Sequence, residues 1–410
     1  MIFYLIILFT FLFRSSSKSV QFNADGTFVI LHLTDIHLCE EEQFPIVDEM
    51  MRTMINASKP NLVIVTGDIV SGDCAKKLNE GDGFYKKRWE SFTKPFLDLE
   101  IHYAITLGDA DRDGDMAPHQ IMELEMTHPF SLSQLSNLSN PATYAVPVLS
   151  YQFPSDISAN LWLFDTGAYG CDGKPDGYGC IERDQIAWYE EESRKFYEQF
   201  GDTSIHLAFF HIPIPEYGLL LKRGAAQAGI AEEPVRSPLV NTGFLSAATK
   251  NIETFVSAIF VGHDHLNNYR GYANGVELIY GRKFGLDPHG PPNDIKRGRR
   301  VITLYEGFSP NGLFERSWDD KIVNFDGTFE YDKQPFENRM ISDTPHIGIT
   351  LSQSKMKDIM MLLMVGCAGI CLAAFVVVRF NLWCKCFEKS QKPSNSNKER
   401  AKNMEDISSI

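Results

Sequence analysis

The chain has 410 residues, 44% of them hydrophobic and 22% charged, with a net charge of -14. That length accommodates one large domain or two smaller ones with an ample core. The acidic balance argues against a nucleic-acid partner, whose phosphates call for a basic surface.

In chain order, residues 2–13 form an apolar run of signal-peptide length, followed by small and polar residues from Arg14 to Ser19. No Lys or Arg precedes the run, but an uncleaved anchor this short would not span a bilayer. The stretch Phe28–Leu33 reads as a strand, and the turn after it carries Asp35 and His37. Strand residues alternate faces, so two side chains two positions apart are expected to enter one pocket.

Apolar residues at helical spacing from Phe44 to Ile55 predict an amphipathic helix ending near Pro60. A second strand, 61–66, leads into Gly67-Asp68, and a helix over 84–99 precedes a third strand, 102–107, which leads into Gly108-Asp109. This alternation implies a parallel sheet with right-handed crossovers, an α/β fold. Residues 116–154 are less regular. A strand over 159–166, a Gly-rich loop and a helix over 183–200 follow. Two buried strands come next, 205–210 ending at His211 and 258–261 leading to Gly262-His263-Asp264-His265. Strands at 276–280 and 300–305 read as antiparallel, with a Pro-containing loop at 286–299 between them.

Residues 336–357 lack periodicity and read as a stalk. Ile359–Val378 carries no charge across twenty residues, the length of a transmembrane helix. The Lys and Arg residues beyond it place the tail in the cytoplasm. The expected organisation is a signal peptide at 1–19, a folded domain at 20–335, a stalk at 336–357, a transmembrane helix at 358–379 and a tail at 380–410. That is a single-pass type I protein whose folded domain is extracellular or luminal, at the plasma membrane or in the endosomal or vacuolar system.

Four cysteines, Cys39, Cys74, Cys171 and Cys180, precede the span. An even count in an oxidising compartment suggests two disulfides. Cys171 and Cys180 bracket a Gly-rich loop and are the easier pair; Cys39 and Cys74 each follow a polar turn that adjacent strands could join. Cys384 and Cys386 stand where palmitoylation is common, with unmodified thiols an equal alternative. Asn56 and Asn137 head glycosylation sequons.

Collected, the polar turns supply Asp35, His37, Asp68, Asp109, His211, His263 and His265. Carboxylates and imidazoles suit zinc, manganese or iron, and this number suffices for two ions sharing one ligand. Two such ions can clamp a phosphoryl oxygen and lower the pKa of a bridging water that attacks phosphorus in line. The ordered set resembles the calcineurin-like metallophosphoesterase superfamily. The wording around Phe210-His211-Ile212-Pro213 and Gly262-His263-Asp264-His265 is similar to its purple-acid-phosphatase-related branch of plants and fungi.

The resemblance implies a four-layer α-β-β-α sandwich, with a phosphorylated substrate of unspecified class. One ion would be held by Asp35, His37, Asp68 and His265, and the other by Asp68, Asp109, His211 and His263. Asp68, Asp109 and His211 would be central to catalysis, with Asp68 as the bridge.

Two positions depart from the family. Ser71 stands where purple phosphatases place a tyrosine ligand, so the tyrosinate colour and ferric preference are not expected. Ala110 stands where the family has an imidazole, a group worth 10²–10⁴-fold when it assists as an acid. Either another group substitutes, His119 and His128 being the candidates by proximity, or the enzyme is slow, or the chain is a binding protein. The basic run Lys296–Arg300 reads as a solvated loop ahead of a substrate contact or processing site. Asp111, Asp113 and Asp115 resemble the start of a calcium loop, but Met122 occupies the twelfth position, which excludes an EF-hand.

Overall fold

Two sheets dominate the computed structural model, which describes residues 19–340 apart from 202–203, 251–253, 288, 291–295 and 331–334. The first is six-stranded, in the order Phe329–Glu330, Phe314–Asn324, Gly298–Phe308, Thr27–Leu33, Leu62–Thr66, Tyr103–Thr106. Its last three strands run parallel, with Ile30 opposite Leu62 and Val63 opposite Tyr103. The helices Phe44–Ser58 and Phe84–Asp98 cross between them, as the alternating pattern predicts.

The second sheet has eight strands, in the order Val20–Gln21, Tyr144–Leu149, Ile157–Phe164, Ile205–Phe210, Val256–Val261, Val276–Tyr280, Arg270–Ala273, Ala226–Ala228. Val276–Tyr280 differs from its antiparallel reading, because it runs parallel to Val256–Val261 and antiparallel only to Arg270–Ala273. The turn in that hairpin is Asn274-Gly275, with φ of 52° and 85°. Two positive φ values are what a primed hairpin turn needs, and Asn-Gly is its commonest sequence. The irregular region 116–154 contains a helix, Pro118–Glu125, and the strand Tyr144–Leu149, whose alternation buries Tyr144, Val146 and Val148 and leaves Pro147 exposed.

Strand alternation divides the core in two. Leu207, Phe209 and Phe260 join the core that the sheets share, where the His32 ring lies 5.7 Å from Phe209 and 5.8 Å from Phe260. Their sequence neighbours Ala208, Phe210, Ile259 and Val261 join a second core with Tyr189, Tyr217 and Phe244, from the helices Arg183–Phe200, Pro215–Lys222 and Phe244–Ala248. A strand buried on both faces reads as a continuous apolar run, which Leu207–Phe210 does, with His206 just before it.

The helix Phe44–Ser58 buries Val47, Met50, Met51, Met54 and Ile55. It stops at Lys59, whose φ of 46° is left-handed, just before Pro60. The helix Arg183–Phe200 begins with a capping box in which the Glu182 N–H donates to Gln185 Oε1 at 2.7 Å, and ends at Gly201 with φ 79°.

Both disulfides form, Cys39–Cys74 and Cys171–Cys180, with Cα atoms 5.7 and 5.5 Å apart. The solvated reading of the basic run is overturned at its end. Arg299 and Arg300 lie fully buried in the strand Gly298–Phe308, Arg299 with its guanidinium 3.3 Å from the centre of the Phe284 ring and Arg300 bonded to Asp320 at 2.7 Å. A carboxylate and an aromatic face replace the water these cations lose.

Residues 336–340, expected to begin a stalk, instead join the folded domain: Glu337–Asn338 pairs with Ile230–Ala231, and Phe336 and Met340 pack on the second core. The predicted span at 359–378, the tail and residues 1–18 lie outside the described residues. Among the described residues no helix is long and apolar enough to cross a membrane.

One core histidine sets an acid limit on stability. His206 is buried, receives a hydrogen bond from Trp162 Nε1 at 3.1 Å, and is pushed down to about 4 by burial. Its folded value is depressed below the unfolded one of 6.5. The folded state therefore binds fewer protons, and stability is lost as pH falls from 6.5 towards 4. The full loss is on the order of 3 kcal/mol. Urea unfolding of wild type and His206→Gln across that window checks it. The variant should lose that part of the pH dependence, and identical slopes would refute the assignment.

Candidate metal centre

Five strand ends converge. Asp35 and His37 follow Thr27–Leu33, Asp68 follows Leu62–Thr66, and Asp109 follows Tyr103–Thr106, all in the six-stranded sheet. His211 follows Ile205–Phe210, and His263 and His265 follow Val256–Val261, in the eight-stranded sheet. All seven residues named from the sequence are brought together where the two sheets meet.

The route differs from strand alternation. The first strand ends at Leu33, and Asp35 and His37 turn inward through left-handed backbone, with φ of 55° and 53°. Asp68 and His263 do the same, at 52° and 74°. Asp and His tolerate this region better than most residues, but such conformations cost roughly 1–3 kcal/mol each and persist only where neighbours enforce them. The neighbours are hydrogen bonds between the loops: Asp35 N–H to Gly67 C=O at 3.2 Å, His37 N–H to Asp68 C=O at 2.9 Å, and His263 N–H to Asp35 Oδ1 at 3.0 Å.

Close approach is enforced by glycine. A Cβ on Gly262 would lie 1.9 Å from Thr34 Oγ1 and 2.8 Å from Asp35 Oδ2. Gly262→Ala should therefore push Asp35 out of place and weaken metal binding by roughly 10–100-fold, the range for a disturbed supporting shell. A chelator-competition titration measures it, and unchanged affinity would show that the loop yields without cost.

The ligand atoms form two groups, Asp35, His37, Asp68 and His265, then Asp68, Asp109, His211 and His263, each with all its atoms within 4.8 Å of one another. Asp68 belongs to both. In the first, His37 Nε2 lies 3.3 Å from Asp68 Oδ2 and 3.1 Å from His265 Nε2, and His265 Nε2 lies 3.4 Å from Asp35 Oδ1. In the second, His211 Nε2 is 3.2 Å from Asp68 Oδ2 and 3.1 Å from Asp109 Oδ1, and His263 Nδ1 is 3.0 Å from Asp109 Oδ1.

These residues fit two divalent cations, and the outer hydrogen bonds say why. His211 Nδ1 donates to the Thr66 carbonyl at 2.7 Å and His265 Nδ1 to the His289 carbonyl at 3.0 Å. A carbonyl only accepts, so each Nδ1 carries the proton and each Nε2 turns a lone pair inward, the arrangement usual for metal-ligating histidine. His37 Nδ1 shares a 2.9 Å hydrogen bond with Ser71 Oγ. The residue standing in place of the tyrosine ligand thus orients another ligand. Asp109 Oδ1 and His211 Nε2 are buried with no hydrogen-bond partner, and three carboxylates crowded together call for positive charge.

The surrounding charges agree. Burial drives His37 down to about 4, keeping it neutral as a ligand must be. For Asp35, burial acts to raise the carboxyl, but His265, His211 and the Lys283 ammonium outweigh it and hold the group well below the usual range. For His211, burial is overcome by Asp68, Asp109 and Asp35, which raise it well above its ordinary value; without a cation the carboxylates would draw a proton onto this ring, and a bound metal ion would supply that positive charge in its place.

Other candidates fall into place around the centre. Ala110 sits part-exposed on a single turn, its N–H donating to Asp68 Oδ1 at 2.8 Å. His119 lies on an exposed helix face beside Glu123 at 3.4 Å, and the His128 N–H donates to the Glu125 carbonyl; neither contact reaches a metal-site residue. The run Asp111 to Asp115 serves structure. Asp111 is fully buried, accepts from the N–H groups of Ile69, Val70 and Gly108, each at 2.9 Å, and is raised to about 7 by burial and the Asp68 charge. Asp115 accepts from Gly83, Phe84 and Tyr85 at the start of their helix.

Sequence reasoning missed a pair beside the centre, a buried lysine and a partly buried aspartate. Lys283 Nζ lies 2.5 Å from Asp287 Oδ1, and Asp287 Oδ2 is 4.0 Å from His265 Nδ1. Both stand near or in a stretch that reads as loop, with no motif to mark them.

Comparison with known proteins gives the same result. Residues 28–267 match the family model described as calcineurin-like phosphoesterase. "Probable inactive purple acid phosphatase 28" of Arabidopsis thaliana is 30% identical over 333 residues, 70% of this chain and 78% of that protein. "Probable inactive purple acid phosphatase 14" of the same plant is 28% identical over 335 residues, covering 72% and 79%. "Phosphatase DCR2" of Saccharomyces cerevisiae is 25% identical over 303 residues, covering 65% of this chain and 50% of that one. With the matched segment taking in all seven clustered ligands, the chain belongs to the calcineurin-like phosphoesterase family.

Proposed function

We infer that the chain is a membrane-anchored dinuclear-metal phosphoesterase acting on phosphate monoesters. The observation that carries this is the pair of four-residue groups sharing Asp68. Bound there, two ions such as zinc, manganese or iron would polarise a phosphoryl oxygen and acidify water. The protein's own part is to hold the seven side chains by loop-to-loop hydrogen bonds and to keep the imidazoles in the ligating tautomer. The order of helices, six-stranded sheet, eight-stranded sheet and helices suits the four-layer sandwich of the family.

A binding protein of the same fold is the second reading. Ala110 offers no proton to a leaving oxygen, and two relatives carry "inactive" in their names. An activity screen of the purified chain, reconstituted with each metal and given aryl and alkyl phosphates, separates the two. Turnover with at least one metal supports the enzyme. Metal and phosphonate binding without turnover would sink it.

The anchor rests on the apolar run Ile359–Val378 and the basic residues after it. Two disulfides and the exposed sequon residues Asn56 and Asn137 suit a luminal or extracellular domain, in the plasma membrane or the endosomal or vacuolar system. In sealed microsomes a protease should remove the tail and spare the folded domain and its glycans. Digestion of the domain with the tail protected would contradict this topology.

A further inference from the structure

The disulfide-bonded hairpin Tyr169–Cys171 with Lys174–Tyr178 stands against the second ligand group. The Tyr178 ring meets the His263 ring edge-on, with centroids 4.8 Å apart. Tyr169 stacks on Tyr178 at 6.1 Å with 24° between planes, and remains 69% exposed. Asp109, the ligand of the second group with the most exposed side chain at 17%, lies near enough for its charge to act on Tyr169. Its charge, after burial, is the largest influence raising the Tyr169 hydroxyl.

The hairpin is held rigidly. Besides the disulfide, Arg183 bonds Asp172 at 2.6 and 2.7 Å, and Glu182 accepts from the Asp172 N–H. Leu239, 78% exposed, lies along Gly177 at its edge. A rigid, exposed aromatic face beside a metal centre is otherwise a poor use of surface, because tyrosine left in water gains nothing from its ring.

We propose that Tyr169, backed by Tyr178, is a stacking platform for the aromatic ring of an aryl phosphate, so that the preferred substrates are phosphate esters of phenols such as phosphotyrosine. The proposal rests on the phosphoesterase reading and deepens it. It also explains how the site can work with Ala110. In the hydrolysis, the oxygen of water bonds to phosphorus, the P–O bond to the ring breaks, and the phenolate leaves with the bonding pair while the protons of water pass to solvent and product. A phenolate is stable enough to depart with little proton assistance, whereas an alkoxide is not.

The test compares the metal-reconstituted full chain with Tyr169→Ala and Tyr169→Phe on three substrates: a phosphotyrosine peptide, the same peptide with phosphoserine, and a nucleoside monophosphate. Equilibrium binding of phenylphosphonate and methylphosphonate to the same proteins is measured alongside. Tyr169→Ala should lower kcat/KM for phosphotyrosine and weaken phenylphosphonate binding, each by roughly tenfold, the range of aromatic stacking. Phosphoserine turnover and methylphosphonate binding should not move, and Tyr169→Phe should retain the aryl preference. Equal losses on aryl and alkyl ligands, or none on either, would overturn the platform. A preference for the nucleoside monophosphate that Tyr169→Ala removes would overturn the phenol assignment. If no substrate turns over, catalysis is disproved, while the phosphonate arm still decides whether the platform exists.

Discussion

Asp68→Asn should reduce bound metal from about two ions to one or fewer and lower phosphatase turnover by on the order of 10³-fold, equivalent to several kcal/mol of lost charge stabilisation. The expectation follows from geometry. Asp68 Oδ2 lies 3.3 Å from His37 Nε2 and 3.2 Å from His211 Nε2, and Asp68 is the one residue that belongs to both groups. The amide that replaces it keeps an oxygen to accept the Ala110 N–H, which Asp68 Oδ1 now takes at 2.8 Å, so the turn should hold while the charge disappears. Removing Asp35 or Asp109 should instead weaken one group and leave the other, because each of those carboxylates belongs to a single group. Elemental analysis of each variant reads the difference. Full occupancy of two ions in Asp68→Asn would mean that it does not bridge.

Ala110→His should raise turnover on alkyl phosphates by roughly 10²–10⁴-fold, the range for general acid assistance. The gain should shrink on nitrophenyl phosphate, whose leaving oxygen needs little protonation. Ala110 is part-exposed and next in sequence to Asp109, so a longer side chain has room on the solvent side. The comparison of leaving groups separates acid catalysis from a general repair of the site, which would lift both substrates equally. A wild-type chain that hydrolyses alkyl phosphates briskly, and that Ala110→His leaves unchanged, would show that another residue already serves. His119 pairs with Glu123 on an exposed helix face, so it is not the first choice for that role.

Among the seven ligands and their order, the sequence determined nearly everything. A buried strand in an α/β sheet must be an apolar run, and the residue after it emerges at the sheet edge. Five such runs, each ending in Asp or His, could therefore be read as five deliveries to one place. Cys171–Cys180 is legible as a pair bracketing a Gly-rich loop, whereas the pairing of Cys39 with Cys74 is settled by the tertiary structure. The helices Phe44–Ser58 and Arg183–Phe200 were legible because their apolar spacing and their Pro and Gly boundaries are local properties.

What the tertiary structure alone decided is whatever depends on distant neighbours. Left-handed backbone at Asp35, His37, Asp68 and His263 is imposed by hydrogen bonds between loops far apart in sequence, which no local propensity reports. The burial of Arg299 and Arg300 is likewise non-local. A basic run reads as solvated until Asp320 and Phe284 arrive from elsewhere to receive it. The same holds for Ser71, which became a partner of His37, and for Tyr169 and Tyr178. Those two tyrosines carry no motif and gain their place beside His263 only because a disulfide and two sheets bring the hairpin there.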